Sequence, residues 1–223
     1  MPLPIVYRKS AEAINATYDF FDGASAIGYK DFYCINTSTT DATTEILSPV
    51  RIASSQPVFT TGTWTVAKTL NRSKTWELLI NKPIIFEGNF SVACTIITET
   101  LPDTRDVYMD VLIYHVSTGG TATLLKGQSG ANVSLGAAAD VSARLNTTAK
   151  ITARKFAKGE TLRIITQWYS EGSGATGTAR IFMDGAERAD SLEVDRQYRA
   201  ADVAHAVYNN SDMIITVPFR IDL

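Results

Sequence analysis

Asn146-Thr-Thr-Ala-Lys-Ile-Thr-Ala-Arg-Lys155 and Glu160-Thr-Leu-Arg-Ile-Ile-Thr-Gln-Trp-Tyr169, separated by Phe156-Ala-Lys-Gly159, decide the fold class. In the first run Thr147, Ala149, Ile151 and Ala153 alternate with Thr148, Lys150, Thr152 and Arg154. In the second, Leu162, Ile164, Thr166 and Trp168 alternate with Arg163, Ile165, Gln167 and Tyr169. A period of two sends alternate side chains to opposite faces of a sheet, so both runs read as strands. The first strand has one wet face. Trp168 and Tyr169 are adjacent and take opposite faces, so at most one of them enters the core.

The same rhythm extends in both directions. Gly88 to Thr98 and Asp106 to Val116 alternate clearly, and Glu99-Thr-Leu-Pro-Asp-Thr-Arg105 between them predicts a hairpin. Further strands are expected at Tyr29 to Ile35, Glu45 to Ile52, Pro57 to Leu70, Trp76 to Ile80, Ile84 to Phe86, Thr121 to Lys126 and Thr178 to Asp184. The last, Met213 to Ile221, points Met213, Ile215, Val217, Phe219 and Ile221 inward. Gly127 to Ala143 is small and polar and reads as a long exposed loop or irregular edge. Residues 185 to 212 break the pattern with a charged segment. The expectation is an all-β protein, an antiparallel β-sandwich or jelly roll spanning residues 23–223, preceded by an extended N-terminal arm at residues 1–22.

Composition agrees. Of 223 residues, 45% are hydrophobic and 20% charged, as in a globular chain with a sizeable core. Threonine, at 27 residues, is β-branched and suits a half-solvated pleated surface. The formal charge of −2 gives no electrostatic footprint for nucleic acid or anionic lipid, so neither is expected as a partner. The first nine residues lack the apolar core of a secretory signal, and no apolar run reaches the length of a membrane span. Seven Asn-x-Ser/Thr triplets exceed chance and have no physical account. Cys34 and Cys94 each sit in a strand-like run; they either form one disulfide or, the favoured reading, remain buried thiols.

Little in the chain supports catalysis. There is no G-x-S-x-G elbow; Gly127-Gln-Ser-Gly130 is the nearest string. His115 and His205 have no second histidine or cysteine at ligand spacing, which argues against zinc and for core or interface histidines. Asp106 and Asp110 share a strand face about 13 Å apart, too far for a retaining glycosidase pair. The acidic residues from Asp184 to Asp195 are interspersed with arginines and lack a calcium-loop spacing. Gly172-Ser-Gly-Ala-Thr-Gly177 matches a phosphate-loop pattern by letter but precedes a strand rather than a helix. The expectation is a non-enzymatic protein with no cofactor and no metal.

The arm holds the remaining candidate residues. Pro2 and Pro4 favour extended backbone around Leu3, and Ile5, Val6 and Tyr7 follow; Tyr18, Phe20 and Phe21 add aromatics that need a packing partner. The arm either folds back on its own domain or reaches a neighbouring subunit, and these nine residues are the expected subunit or capsid contact.

Tyr18-Asp-Phe-Phe-Asp-Gly-Ala-Ser-Ala-Ile-Gly-Tyr-Lys-Asp-Phe-Tyr33, Phe156-Ala-Lys-Gly-Glu-Thr-Leu-Arg-Ile-Ile-Thr-Gln-Trp168 and Ile215-Thr-Val-Pro-Phe-Arg-Ile-Asp-Leu223 together resemble a loosely defined group of virion structural proteins from tailed bacteriophages. The likeness spans most of residues 18–223, with Val217 to Leu223 its most specific part. It departs at Asp184-Gly185, where the group often carries Asp-Pro. The resemblance implies a head decoration or cement protein that sits on the capsid lattice, and it brings no catalytic residues. The expectation that follows is a homo-oligomer, with a trimer favoured, that binds the major capsid protein or another virion protein and is assembled in the host cytoplasm, with the formal charge of −2 pointing to the outer head surface. The competing expectation is a carbohydrate- or receptor-binding β-sandwich of a tail fibre or adhesin, using exposed Trp or Tyr.

Overall fold

A computed structural model describes residues 27–35, 44–50, 58–60, 69–100, 105–135, 142–172, 178–182 and 213–220. Every regular element among the described residues is a strand: β1 (Ile27–Ile35), β2 (Thr44–Ser48), β3 (Val58–Thr60), β4 (Thr69–Leu79), β5 (Ile84–Thr100), β6 (Arg105–Val116), β7 (Ala122–Gln128), β8 (Val133–Leu135), β9 (Ser142–Phe156), β10 (Thr161–Gly172), β11 (Thr178–Phe182) and β12 (Ile214–Arg220). The arm, the segment 183–212 and His205 lie outside the described residues. The expectation of an all-β fold holds.

The strands follow the order β3-β11-β5-β12-β1-β2-β4-β10-β6-β7, with β9 on β5 and β8 on β6. Strand β9 also touches β6, β7 and β8, so the sheet curls over nearly into a barrel. Among the described strands, one pairing is not antiparallel. Strands β2 and β4 run parallel, with Glu45 opposite Trp76, which makes the sheet mixed rather than purely antiparallel.

Strand β10 alternates as its sequence predicts: Leu162, Ile164, Thr166, Trp168 and Ser170 are buried and their neighbours are not. It lies between β4 and β6, pairing Ile164 with Trp76 on one side and with Ile113 on the other. Trp168 is buried, and Tyr169 stacks on Tyr108 outside with centroids 5.5 Å apart. Inward side chains from opposed parts of the sheet fill one core that contains Trp76, Trp168, Phe86, Phe90 and Phe156. Phe86 meets Phe156 edge-on at 4.9 Å, an arrangement that aromatic quadrupoles favour.

The predicted hairpin between Gly88 to Thr98 and Asp106 to Val116 does not form. Strand β5 pairs with β9, β11 and β12, whereas β6 pairs with β7, β8 and β10. The two strands instead face each other across the core, where the Cys94 thiol approaches the Met109 thioether at 3.7 Å. Each has a largely apolar inner face, broken on β6 by His115, and stacking the two faces buries both.

Two predicted strands fuse into β5 through a bulge between Phe86 and Gly88, where Gly88 takes φ 121°, a backbone region closed to side chains with a Cβ. The expected loop from Gly127 contains β8, and it is pinned to the body. The Gly130 amide donates to the Met109 carbonyl at 3.1 Å, beside the Thr147 hydroxyl, which donates to the same oxygen at 2.6 Å.

Candidate functional site

At one end of the sandwich the two layers do not meet. Strands β1 and β12 pair Lys30 with Val217 and Phe32 with Ile215, which directs these side chains to the same inward face. Opposite them, the chain leaves β4 at Leu79, turns through Asn81 and Lys82, and enters β5 at Ile84. Between the two lies an open apolar cleft of about 370 Å³. Phe32, Leu78, Ile84, Phe86 and Phe219 form its walls, and Lys30 and Lys82 supply its charge. The turn is held rigidly, because the Ile80 amide donates to the Glu160 carbonyl at 2.9 Å and the Ile80 carbonyl accepts from Gly159 at 2.8 Å.

A second feature is sealed from water. Lys74 Nζ and Glu45 Oε1 lie 2.7 Å apart with both side chains fully buried. Next to them the Trp76 indole donates to the Thr166 hydroxyl at 2.9 Å. This buried ion pair joins the parallel strands β2 and β4 from within. It has no route to a substrate, so its role is structural.

A third cluster joins β6, β9 and β10. Arg154 Nη2 lies 3.0 Å from His115 Nδ1, and His115 Nε2 lies 2.8 Å from Glu160 Oε2. With an arginine as its neighbour, Nδ1 accepts, so Nε2 carries the hydrogen and lies beside the carboxylate. The Glu160 carboxyl is held below its usual range, first by the Ala157 amide, which donates to Oε2 at 2.7 Å, and then by His115. A histidine–carboxylate pair suggests acid–base chemistry, but the nitrogen that would serve a nucleophile is taken by Arg154. His115 packs edge-on against Phe156 at 4.4 Å, as expected for a core histidine.

The cysteines are free and buried, as favoured from the sequence. Burial raises both thiols; Cys94 is pushed up to about 11 against the lowering effects of the Trp168 indole and Arg144, and the charge of Cys94 adds to the rise at Cys34. Neither is a nucleophile near neutral pH. No group of three or more potential metal ligands occurs among the described residues, and Asp106 is engaged by Asn132 at 3.1 Å. No helix of the described residues is long and apolar enough to cross a membrane.

Of the contacts expected from the sequence, Pro2, Leu3, Pro4, Ile5, Val6, Tyr7, Tyr18, Phe20 and Phe21 all lie outside the described residues. The cleft and the Lys74–Glu45 pair were not anticipated. The cleft arises from strands that are remote in sequence, and Lys74 sits in the hydrophilic run Asn71-Arg-Ser-Lys-Thr75, which reads as solvent-facing.

No family model and no curated protein matches the chain. Among solved structures it is similar to a CocE/NonD family hydrolase from Staphylococcus aureus, with TM-score 0.51, 11% identity and coverage of 86% of this chain and 37% of the hydrolase. An aminopeptidase from a marine sediment archaeon, Thaumarchaeota archaeon, matches at TM-score 0.50 and 11% identity, over 89% of this chain and 37% of its own. An α-amino acid ester hydrolase matches at TM-score 0.50 and 10% identity, over 86% and 36%.

The chain therefore spans little more than a third of the length of the structures it resembles, and at this identity the likeness is one of fold. It overturns the expectation of a non-enzymatic protein all the same. That expectation rested on how few histidines and cysteines the chain holds, and this very architecture occurs within hydrolases. A shortage of chemistry in one sandwich does not exclude it from enzymes.

Proposed function

We propose that this β-sandwich is a docking and structural component of a virion, a head decoration protein that joins copies of itself and the capsid lattice through apolar surface. The observation that carries this reading is the outward face of β2 and β4. Ile46, opposite Glu77, is 56% exposed, and Leu79, two residues beyond Glu77 at the edge of the cleft, is 58% exposed. Large apolar side chains on a sheet face sealed by a dry core below are suited to association. The near-neutral charge agrees with a place away from packaged DNA, on the outer head surface, and the resemblance of residues 18–223 to phage virion proteins supports the same reading. On this proposal the arm's Pro2 to Tyr7 adds a tether to a neighbouring subunit, and the assembly is a trimer.

Sedimentation equilibrium tests it. The full chain is expected to run as a trimer and Ile46→Asp as a monomer with an unchanged circular dichroism spectrum. A full chain that stays monomeric at high concentration contradicts the proposal.

The fold likeness to hydrolases favours a second reading, in which the sandwich is the β-module of a hydrolase. An ester or aminopeptide substrate turned over by the protein in its native context supports that reading, and its loss on disrupting the sandwich would confirm the module's part.

A further inference from the structure

The cleft lies where β1 enters the sandwich. Ile27 and Gly28 open that strand opposite Arg220 and Phe219, and Lys30 and Phe32 line the cleft within the next four residues. Ile27, the first described residue of β1, therefore lies three positions from the cleft-lining Lys30, and 26 residues precede it in the sequence. Their near part reads Tyr18-Asp-Phe-Phe-Asp22, followed by Gly23. Two adjacent phenylalanines flanked by aspartates are complementary to an apolar cleft that bears Lys30 and Lys82.

We infer that this cleft is the docking site of the chain's own Tyr18–Asp22 segment, with Phe20 or Phe21 inserted between Phe219 and Ile84 and the aspartates facing the lysines. The size fits, since about 150 Å³ accommodates one benzene ring and the cleft offers about 370 Å³. The reach fits as well. Phe21 lies six residue steps before Ile27, about 20 Å when extended, whereas Ile27 to Lys30 is about 10 Å along the strand. Asp22-Gly23 has the chemistry of a tight reversal. So short a tether holds the segment at an effective concentration in the millimolar range, which favours closure within one chain over exchange between chains. Docking anchors the root of the arm and leaves Pro2 to Tyr7 to extend outward. The inference does not depend on the virion reading.

Disulfide trapping in the full chain tests it. Phe21→Cys combined with Lys82→Cys should close within a single chain under mild oxidation, and Cys34 and Cys94, both fully buried, do not compete. Lys9→Cys with Lys82→Cys serves as the distant control and should close at least tenfold more slowly. Adding Asp19→Asn and Asp22→Asn should slow closure of the first pair severalfold at low salt. Equal rates for the test and control pairs, or a bond that forms between chains, would overturn the inference. Faster trapping of Leu223→Cys than Phe21→Cys by Lys82→Cys would assign the cleft to the C-terminal tail instead, and would overturn it too.

Discussion

Lys74 Nζ and Glu45 Oε1 sit 2.7 Å apart in a place that water does not reach, on neighbouring parallel strands of a sheet whose other described pairings are antiparallel. Removing one partner takes the 2.7 Å contact away from a charge that stays in the core, which costs about 3–5 kcal/mol. Glu45→Leu and Lys74→Met should each lower the urea midpoint accordingly. The double variant should recover most of that loss, because an apolar pair of similar volume replaces the ions. A double variant as unstable as the singles would show that the pair is needed for more than mutual neutralisation. Chemical denaturation with unchanged m-values is the measurement.

Gly130 leaves no room for a side chain. A Cβ there would lie 2.4 Å from the Thr147 hydroxyl oxygen and 2.5 Å from the Met109 carbonyl oxygen. Gly130→Ala should therefore destabilise the protein by roughly 1–3 kcal/mol, the usual cost of overpacking. Adding Thr147→Ala should relieve only part of it, since the Met109 backbone remains. Thermal unfolding of the two variants separates the contributions.

Glu160 ties stability to pH. Its carboxyl is lowered from 4.5 by the Ala157 amide and by His115, so the folded state favours the ionised form. That stabilisation is present above the ordinary carboxyl range and is lost as pH falls through the lowered folded value. Glu160→Gln should melt below the unsubstituted chain at neutral pH, and the gap should close in acid. A gap that is constant with pH would mean that packing, not charge, accounts for the difference.

Cys34 and Cys94 are fully buried thiols raised by desolvation. Neither should react with a disulfide reagent at mildly alkaline pH while the protein is folded, and both should react at once in denaturant. Timed thiol titration checks this.

Much of the fold is legible in local sequence because strand alternation is a local property. The buried face of β10 and the split of Trp168 from Tyr169 follow from period two alone. Pairing is not local. Gly88 to Thr98 and Asp106 to Val116 look like a hairpin, yet they oppose each other across the core, and only the whole sheet order reveals it. Val133–Leu135 hides in a small polar stretch because its partner, β6, supplies the context. Lys74 reads as a wet position until Glu45, 29 residues away, is placed beside it. The cleft is hidden for the same reason, since its walls come from β1, β12 and the turn between β4 and β5.

Quantitative mass spectrometry of purified particles, produced from the genome that encodes this protein, tests whether the sandwich is a virion component. The protein should be found in intact particles at a copy number in fixed ratio to the major capsid protein, with antibody labelling on the outside of the head. Its absence from purified particles, with the protein recovered only in the soluble fraction of the lysate, would rule out a place in the virion.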